Sequence, residues 1–245
     1  IISYINTELT DAEFRTAMTA IEFDEEKRSV ENDLEKQRVW AEKYKNKLLY
    51  AGLNDLILKQ GDTLPSFEKT IHKASEYALR GSKIFFFDNL STFANNAKTD
   101  KKGWEILSDA GLKIINFSKL TKSICFIVLH ATAGLAYTDT TDAVKKYIAD
   151  NMPNKIFDDS ISILKRPNGD SLHGGTVLKG QCSGTILIWR PYQNFEKSPT
   201  LPHEAAILLE SMRHSRSGSL IRMDFDGAKG KFTEDPLAGV MENNK

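Results

Sequence analysis

Lys83-Ile84-Phe85-Phe86-Phe87-Asp88-Asn89 is the stretch on which the fold turns. Four apolar residues in a row suit a strand buried on both faces, the kind found in a parallel sheet flanked by helices. The run then stops on a carboxylate. In open parallel sheets, ligands bind at the carboxyl ends of the strands. An acid at that place suits a nucleotide-bound Mg2+. The plainer alternative is a strand that ends in a solvated Asp.

Working outward, residues 1–5 read as a strand. Thr10-Asp11-Ala12-Glu13 has the pattern of a capping box, so a helix is expected from Asp11. Residues 24–50 are highly charged, with Val30, Leu34, Trp40, Tyr44 and Leu48 at roughly helical spacing. They read as one long solvent-facing helix, or two in series. A second strand is expected over 53–59 and a helix over 65–79, with Pro65 early in it. Residues 104–120 predict a helix with apolar positions at Ile106, Leu112, Ile115 and Leu120. Residues 124–130 predict a fourth strand.

Residues 131–179 are long and polar, with a helix expected over 141–149; such stretches in a compact domain are commonly functional. Strands are expected over 184–190, 205–212 and 220–225, then a turn and short strand over 227–232. Strand and helix alternate at first and strands alone follow. The expected class is α/β, a mostly parallel sheet with antiparallel strands at its C-terminal edge. One domain over 1–235 and a tail over 236–245 are expected, with no internal repeat and no low-complexity tract.

The 245 residues have formal net charge zero, so contact with nucleic acid would have to come from local loops and not from a generally basic surface. Of the two cysteines, Cys125 and Cys182, the first lies in the apolar run 124–129 and reads as core. No disulfide framework or CxxC site is present, which makes a reducing cytoplasm the default compartment. No apolar run approaches the length of a membrane span. The interior-strand character of the first residues leads to the expectation that the chain starts in mid-domain.

Several of these strands end in polar residues: Glu8 after the first, Asp88 after the third, His130 after the fourth and Arg190 after the fifth. A late hairpin carries Arg213-His214-Ser215-Arg216-Ser217-Gly218. In this order the chain resembles the RecA-like motor domain of DnaB/Twinkle-type replicative helicases, with plasmid RepA-type helicases as close relatives. The resemblance runs over residues 1–232. It is clearest in 171–190, where a Gly/Ser-containing loop leads through a short helix into a strand ending in Arg. It is clear again in 210–218 with the strand that follows.

The resemblance implies a three-layer RecA-like fold, ATP and Mg2+ as cofactors, and roles for particular residues. Glu8 matches the glutamate that deprotonates the attacking water. Asp88 matches the Walker B aspartate that holds Mg2+ through a water. His130 matches the Gln or His that senses the γ-phosphate. Arg216 matches the arginine finger acting on a neighbouring subunit's nucleotide. Arg190 matches an arginine that stacks on the base, with Phe225 on the other face. His214 stands where the family usually has Lys, a departure from its pattern, and Arg213 is the neighbouring residue that would supply a second trans cation. Lys165, Arg166, Asn168, His173 and Lys179 would meet single-stranded DNA in the channel of a hexameric ring. Primase or a helicase loader is the implied protein partner.

The sequence contains no GxxxxGK[ST] motif; in the family that phosphate loop lies directly before the first strand seen here. Three readings follow: a ring-forming helicase motor; a RecA-, RadA- or KaiC-like ATPase of recombination or regulation; and a non-catalytic DNA-binding or assembly module that has lost nucleotide binding.

Overall fold

The computed structural model describes residues 1–57, 65–96, 102–129, 137–139, 162–164, 175–190, 204–213 and 218–234. The chain divides into two compact units. The first comprises Ile1–His130, Leu172–Cys182 and Ala228–Gly230; the second comprises Ala131–Ser171, Ser183–Gly227 and Lys231–Lys245.

In the first unit, β1 (Ile2–Asn6), β2 (Leu48–Ala51), β3 (Ile84–Asp88) and β4 (Ile124–Ile127) form a parallel sheet in the order β2-β1-β3-β4. The register aligns Tyr50, Tyr4, Phe86 and Phe126 in one row across all four strands. Their side chains share a face, with ring centroids 6.3, 5.9 and 4.6 Å apart along the row. Alternate residues Ile5, Leu49, Ala51, Phe85 and Phe87 point to the opposite face and form the main core.

Helices α1 (Asp11–Phe23), α2 (Lys27–Val30), α3 (Leu34–Tyr44), α4 (Leu53–Leu56), α5 (Phe67–Leu79), α6 (Ser91–Asn96), α7 (Gly103–Thr121) and α8 (Gly175–Gln181) complete the described helices. The capping box at Thr10 and Glu13 forms as expected, with both reciprocal bonds present. On the aromatic face Phe14 of α1 stacks on Tyr50 at 3.9 Å and on Tyr4 at 5.1 Å, and Trp40 of α3 meets Phe14 edge-on. The β4 end of that face is open: Ile124, Phe126 and Val128 are 59%, 40% and 36% exposed. The two-sided burial expected of 83–89 therefore holds on one face only, where Phe85 and Phe87 are buried while Phe86 is half-buried.

Four local expectations are corrected. The charged run 24–50 holds two helices in series, α2 and α3, as one of the two readings expected, but its last residues become a strand, because Leu49 and Ala51 alternate with Tyr50 in a period of two and pair with β1. The expected strand at 53–59 begins instead as the short helix α4 after Gly52. Helix α5 starts after Pro65, at Phe67, because Ser66 accepts the Lys69 amide as its cap. Helix α7 buries Leu107, Ala110, Gly111, Ile114 and Phe117, whereas Leu112 and Leu120 are 42% and 85% exposed. The buried stripe is set by what it meets: Phe117 packs edge-on to Phe85 at 5.0 Å, and Gly111 leaves room for Leu178 of α8. The helix expected over 141–149 and the tail lie outside the described residues.

In the second unit β7 (Gly184–Trp189), β8 (Glu204–Met212), β9 (Ser219–Asp226) and β10 (Lys231–Glu234) form an antiparallel sheet in the order β10-β9-β8-β7. A small hairpin pairs β5 (Tyr137–Asp139) with β6 (Ser162–Leu164) within the stretch read as loop. Among the described residues the antiparallel strands hydrogen-bond as a sheet of their own, where the sequence suggested an edge extension of the parallel one.

Candidate functional site

The carboxyl ends of β1 and β3 lie side by side, with Asn6 opposite Asp88 in the register. Glu8 follows two residues beyond Asn6, in the corner leading to α1. The parallel pairing thus brings Glu8 and Asp88, 80 residues apart in sequence, to one edge of the sheet.

Asp88 is held by its neighbour strand. Its Oδ2 accepts from the Tyr4 hydroxyl at 2.5 Å and from Asn6 Nδ2 at 3.0 Å. Asn6 is buried, and its Oδ1 accepts from the backbone N–H groups of Glu8 and Leu9 at 2.8 and 2.6 Å. One side chain therefore anchors the Asp88 carboxylate with its nitrogen and shapes the Glu8 corner with its oxygen. This use of both ends of the amide leaves no freedom to flip.

Glu8 is exposed, and its Oε1 accepts from Asn89 Nδ2 at 2.6 Å. Asn89 itself is buried, and its N–H donates to Thr7 Oγ1 at 3.0 Å. Thr92 closes the group: its N–H donates to Asn89 Oδ1 at 3.0 Å, and its hydroxyl lies 3.1 Å from the same oxygen. The peptide between Asp88 and Asn89 is cis. Burial, and then the bond to Asp88, push the Tyr4 phenol well above the ordinary tyrosine range, so it stays a donor.

Chemically, this edge offers a carboxylate held by neutral donors beside an exposed carboxylate held by an amide. Among the described residues no three His, Cys, Asp or Glu side chains gather into a cage. The donor set fits Mg2+, which keeps several waters and takes one or two carboxylates. The segment after β4 leaves at the same edge, since Leu90 N–H donates to Val128 O at 3.0 Å. His130, two residues further, lies outside the described residues.

In the second unit the Arg190 guanidinium stacks on the Phe225 ring at 3.8 Å, and Phe225 lies 4.7 Å from Phe232. Desolvation lowers the guanidinium's pKa. The two residues expected to sandwich a base touch each other directly, so they form one layered platform and not two separated jaws. Arg213 sits in the turn after β8, exposed, its N–H donating to Ser183 O at 2.9 Å. Gly218 takes φ +87 at the other foot of the hairpin, a conformation that suits glycine. His214 and Arg216, between these feet, lie outside the described residues, as do Lys165, Arg166, Asn168 and His173. Lys179 is described and belongs to α8, a helix and not the expected loop.

Tyr4, Asn6, Thr7, Asn89 and Thr92 are site residues to which the sequence reading assigns no role. The only sequence signal for the first two was the polar ending Tyr4-Ile5-Asn6-Thr7-Glu8.

The architecture is RecA-like. No protein-family model and no curated protein sequence matches the chain. Among solved structures, a DnaB-like replicative helicase, described with its interactions with primase, aligns with 95% of this chain at 10% identity and a TM-score of 0.64. The chain spans 50% of that helicase's length. A KaiC-like protein from the hyperthermophilic archaeon Pyrococcus horikoshii aligns with 96% of this chain and 75% of its own, at 13% identity and a TM-score of 0.53. At these identities the likeness establishes the fold. Among the described residues no helix is long and apolar enough to cross a membrane.

Proposed function

We propose that this chain is the ATPase motor of a ring-forming replicative DNA helicase that translocates on single-stranded DNA. The observation that carries this is the meeting of Glu8 and Asp88 at one carboxyl edge of a RecA-like sheet, each held by its own buried asparagine. Asp88 would hold Mg2+, which when bound would supply positive charge to offset that on the phosphates. Glu8 is exposed at the same edge and accepts the proton of the attacking water. His130 reads the γ-phosphate. The Arg190–Phe225 platform offers a flat cationic face to the base.

Arg216 completes the site of a neighbouring subunit, with Arg213 or His214 as a second contact, which makes a hexameric ring the active form. Lys165, Arg166, Asn168, His173 and Lys179 meet DNA phosphates, and primase or a helicase loader docks on the assembly. The likeness to a DnaB-like helicase supports this reading.

The test is DNA-stimulated ATP hydrolysis and strand displacement by the full-length polypeptide. Glu8→Gln should lower hydrolysis about 100-fold or more with Mg-ATP binding retained; full-rate hydrolysis removes Glu8 from the mechanism. The likeness to a KaiC-like protein supports a second reading, a RecA-, RadA- or KaiC-like ATPase of recombination or regulation. Hydrolysis without strand displacement favours that reading. Failure to bind Mg-ATP at micromolar concentration favours the non-catalytic module.

A further inference from the structure

Glu8 stands on an exposed corner, where a glutamate has several rotamers open to it. Its partner Asn89 is 1% exposed and follows directly on Asp88 in the chain. The orientation of the Asn89 amide is dictated by its surroundings. Its Oδ1 accepts the Thr92 N–H at 3.0 Å, so Nδ2 is the end turned to Glu8 Oε1, 2.6 Å away. A flip would set Oδ1 against a carboxylate and Nδ2 against an N–H donor, losing both bonds. The backbone is fixed too: Asn89 N–H donates to Thr7 Oγ1 at 3.0 Å, and Thr7 Oγ1 lies 3.0 Å from Asn89 O. Thr7 immediately precedes Glu8, so the two strand ends are stitched together on both sides of the bond in question.

We propose that Asn89 is the positioning residue for Glu8. It holds one carboxylate oxygen so that the base keeps a single approach to water, and it ties that approach to the backbone that presents Asp88. The inference rests on the proposed hydrolytic role of Glu8 and adds to it the residue through which geometry is imposed.

The experiment is steady-state Mg-ATP hydrolysis by the full-length polypeptide, with Glu8→Ala, Asn89→Leu and the double variant compared. Asn89→Leu keeps the side-chain size and removes the donor. It should lower kcat about 10- to 100-fold with KM changed less than about two-fold, because a misplaced base loses rate and not affinity. In the Glu8→Ala background the same change should lower kcat no further, since residues acting as a unit are not additive. An unchanged kcat for Asn89→Leu, or an additional loss in the Glu8→Ala background, overturns the positioning role and leaves the hydrolytic role of Glu8 intact. No effect of Glu8→Ala itself overturns both. If Asn89→Leu does not fold by circular dichroism, isosteric Asn89→Asp takes its place. It sets a carboxylate against Glu8 and should show the same kcat loss and the same non-additivity; wild-type kcat for this variant overturns the role equally.

Discussion

The Tyr4 hydroxyl of β1 donates to Asp88 Oδ2 of β3 at 2.5 Å, across adjacent parallel strands. The phenol that makes this bond is also part of the aromatic row, stacked on Phe14 at 5.1 Å and on Phe86 at 5.9 Å. The carboxylate at the sheet edge is thus tied to the packing beneath the helices. Tyr4→Phe keeps the ring and removes the donor. A hydrogen bond to an ionised carboxylate is worth about 1.5–3 kcal/mol, less where water reaches it. The expected loss is about 1–2 kcal/mol in urea unfolding, with an unchanged m-value. Wild-type stability in Tyr4→Phe would show that the bond contributes nothing.

Thr10 and Glu13 satisfy each other's backbone N–H at the start of α1, with Thr10 N–H to Glu13 Oε2 at 2.8 Å and Glu13 N–H to Thr10 Oγ1 at 3.4 Å. Because this cap follows Glu8 by two residues, it also sets how the chain leaves the site. Thr10→Ala should cost about 1 kcal/mol. Faster amide exchange is expected in the first turn of α1, with α5 and α7 unaffected.

Gly111 of α7 faces Leu178 of α8 so closely that an added Cβ would lie 2.0 Å from Leu178 Cδ2. Leu178 is buried within the core cluster, so it has little room to yield. Overpacking costs about 1–3 kcal/mol, while replacing a helical glycine by alanine gains about 1 kcal/mol in propensity. Gly111→Ala alone should therefore be neutral to destabilising. In a Leu178→Ala background, where the clash is gone, the same change should stabilise. Equal effects in both backgrounds, measured by thermal unfolding, would show that α8 does not press on Gly111.

Alkaline pH should unfold the first unit through its buried phenols. Burial, foremost, pushes Tyr77 up to about 12 from the ordinary 10.0, and raises Tyr4 and Tyr50 as well. Above pH 10 an unfolded tyrosine has released its proton while the folded one retains it. The unfolded state then binds fewer protons, and stability falls as pH rises through this window, by ~1.4 kcal/mol per pH unit for each such tyrosine. Urea midpoints at pH 8, 10 and 11 should fall slightly between the first two, where the unfolded phenols begin to titrate, and more steeply between the second and third. A midpoint unchanged at pH 11 contradicts the burial of these hydroxyls.

Much of the scaffold was legible locally. The apolar run before Asp88, the Thr10–Glu13 box and the late strands each show in a few consecutive residues, and each forms. Local signal failed where two periods share a composition. Leu48 continues the helical spacing of Tyr44, yet Leu49, Tyr50 and Ala51 pair as β2 because β1 offers a free edge. In α7 the spacing of Ile106, Leu112, Ile115 and Leu120 marked a helix but not its inner face. That face is chosen by Phe85, Phe87 and Leu178, which come from elsewhere in the chain.

The same division runs through the site. The sequence by itself determined that one carboxylate ends the third strand and another closely follows the first, since strand ends are read from where hydrophobicity stops. It carried no sign that Asn6 would bridge Asp88 to the Glu8 corner, or that Asn89 would hold Glu8. Those bonds join residues 81 and 82 positions apart for Glu8–Asn89 and Asn6–Asp88. They exist only because β1 and β3 pair in parallel with Asn6 opposite Asp88. A shift of one residue in that register would turn every side chain of one strand to the other face and dissolve the site. Register is decided by the packing of Ile5, Phe85 and Phe87 against α5 and α7, a property of the assembled core.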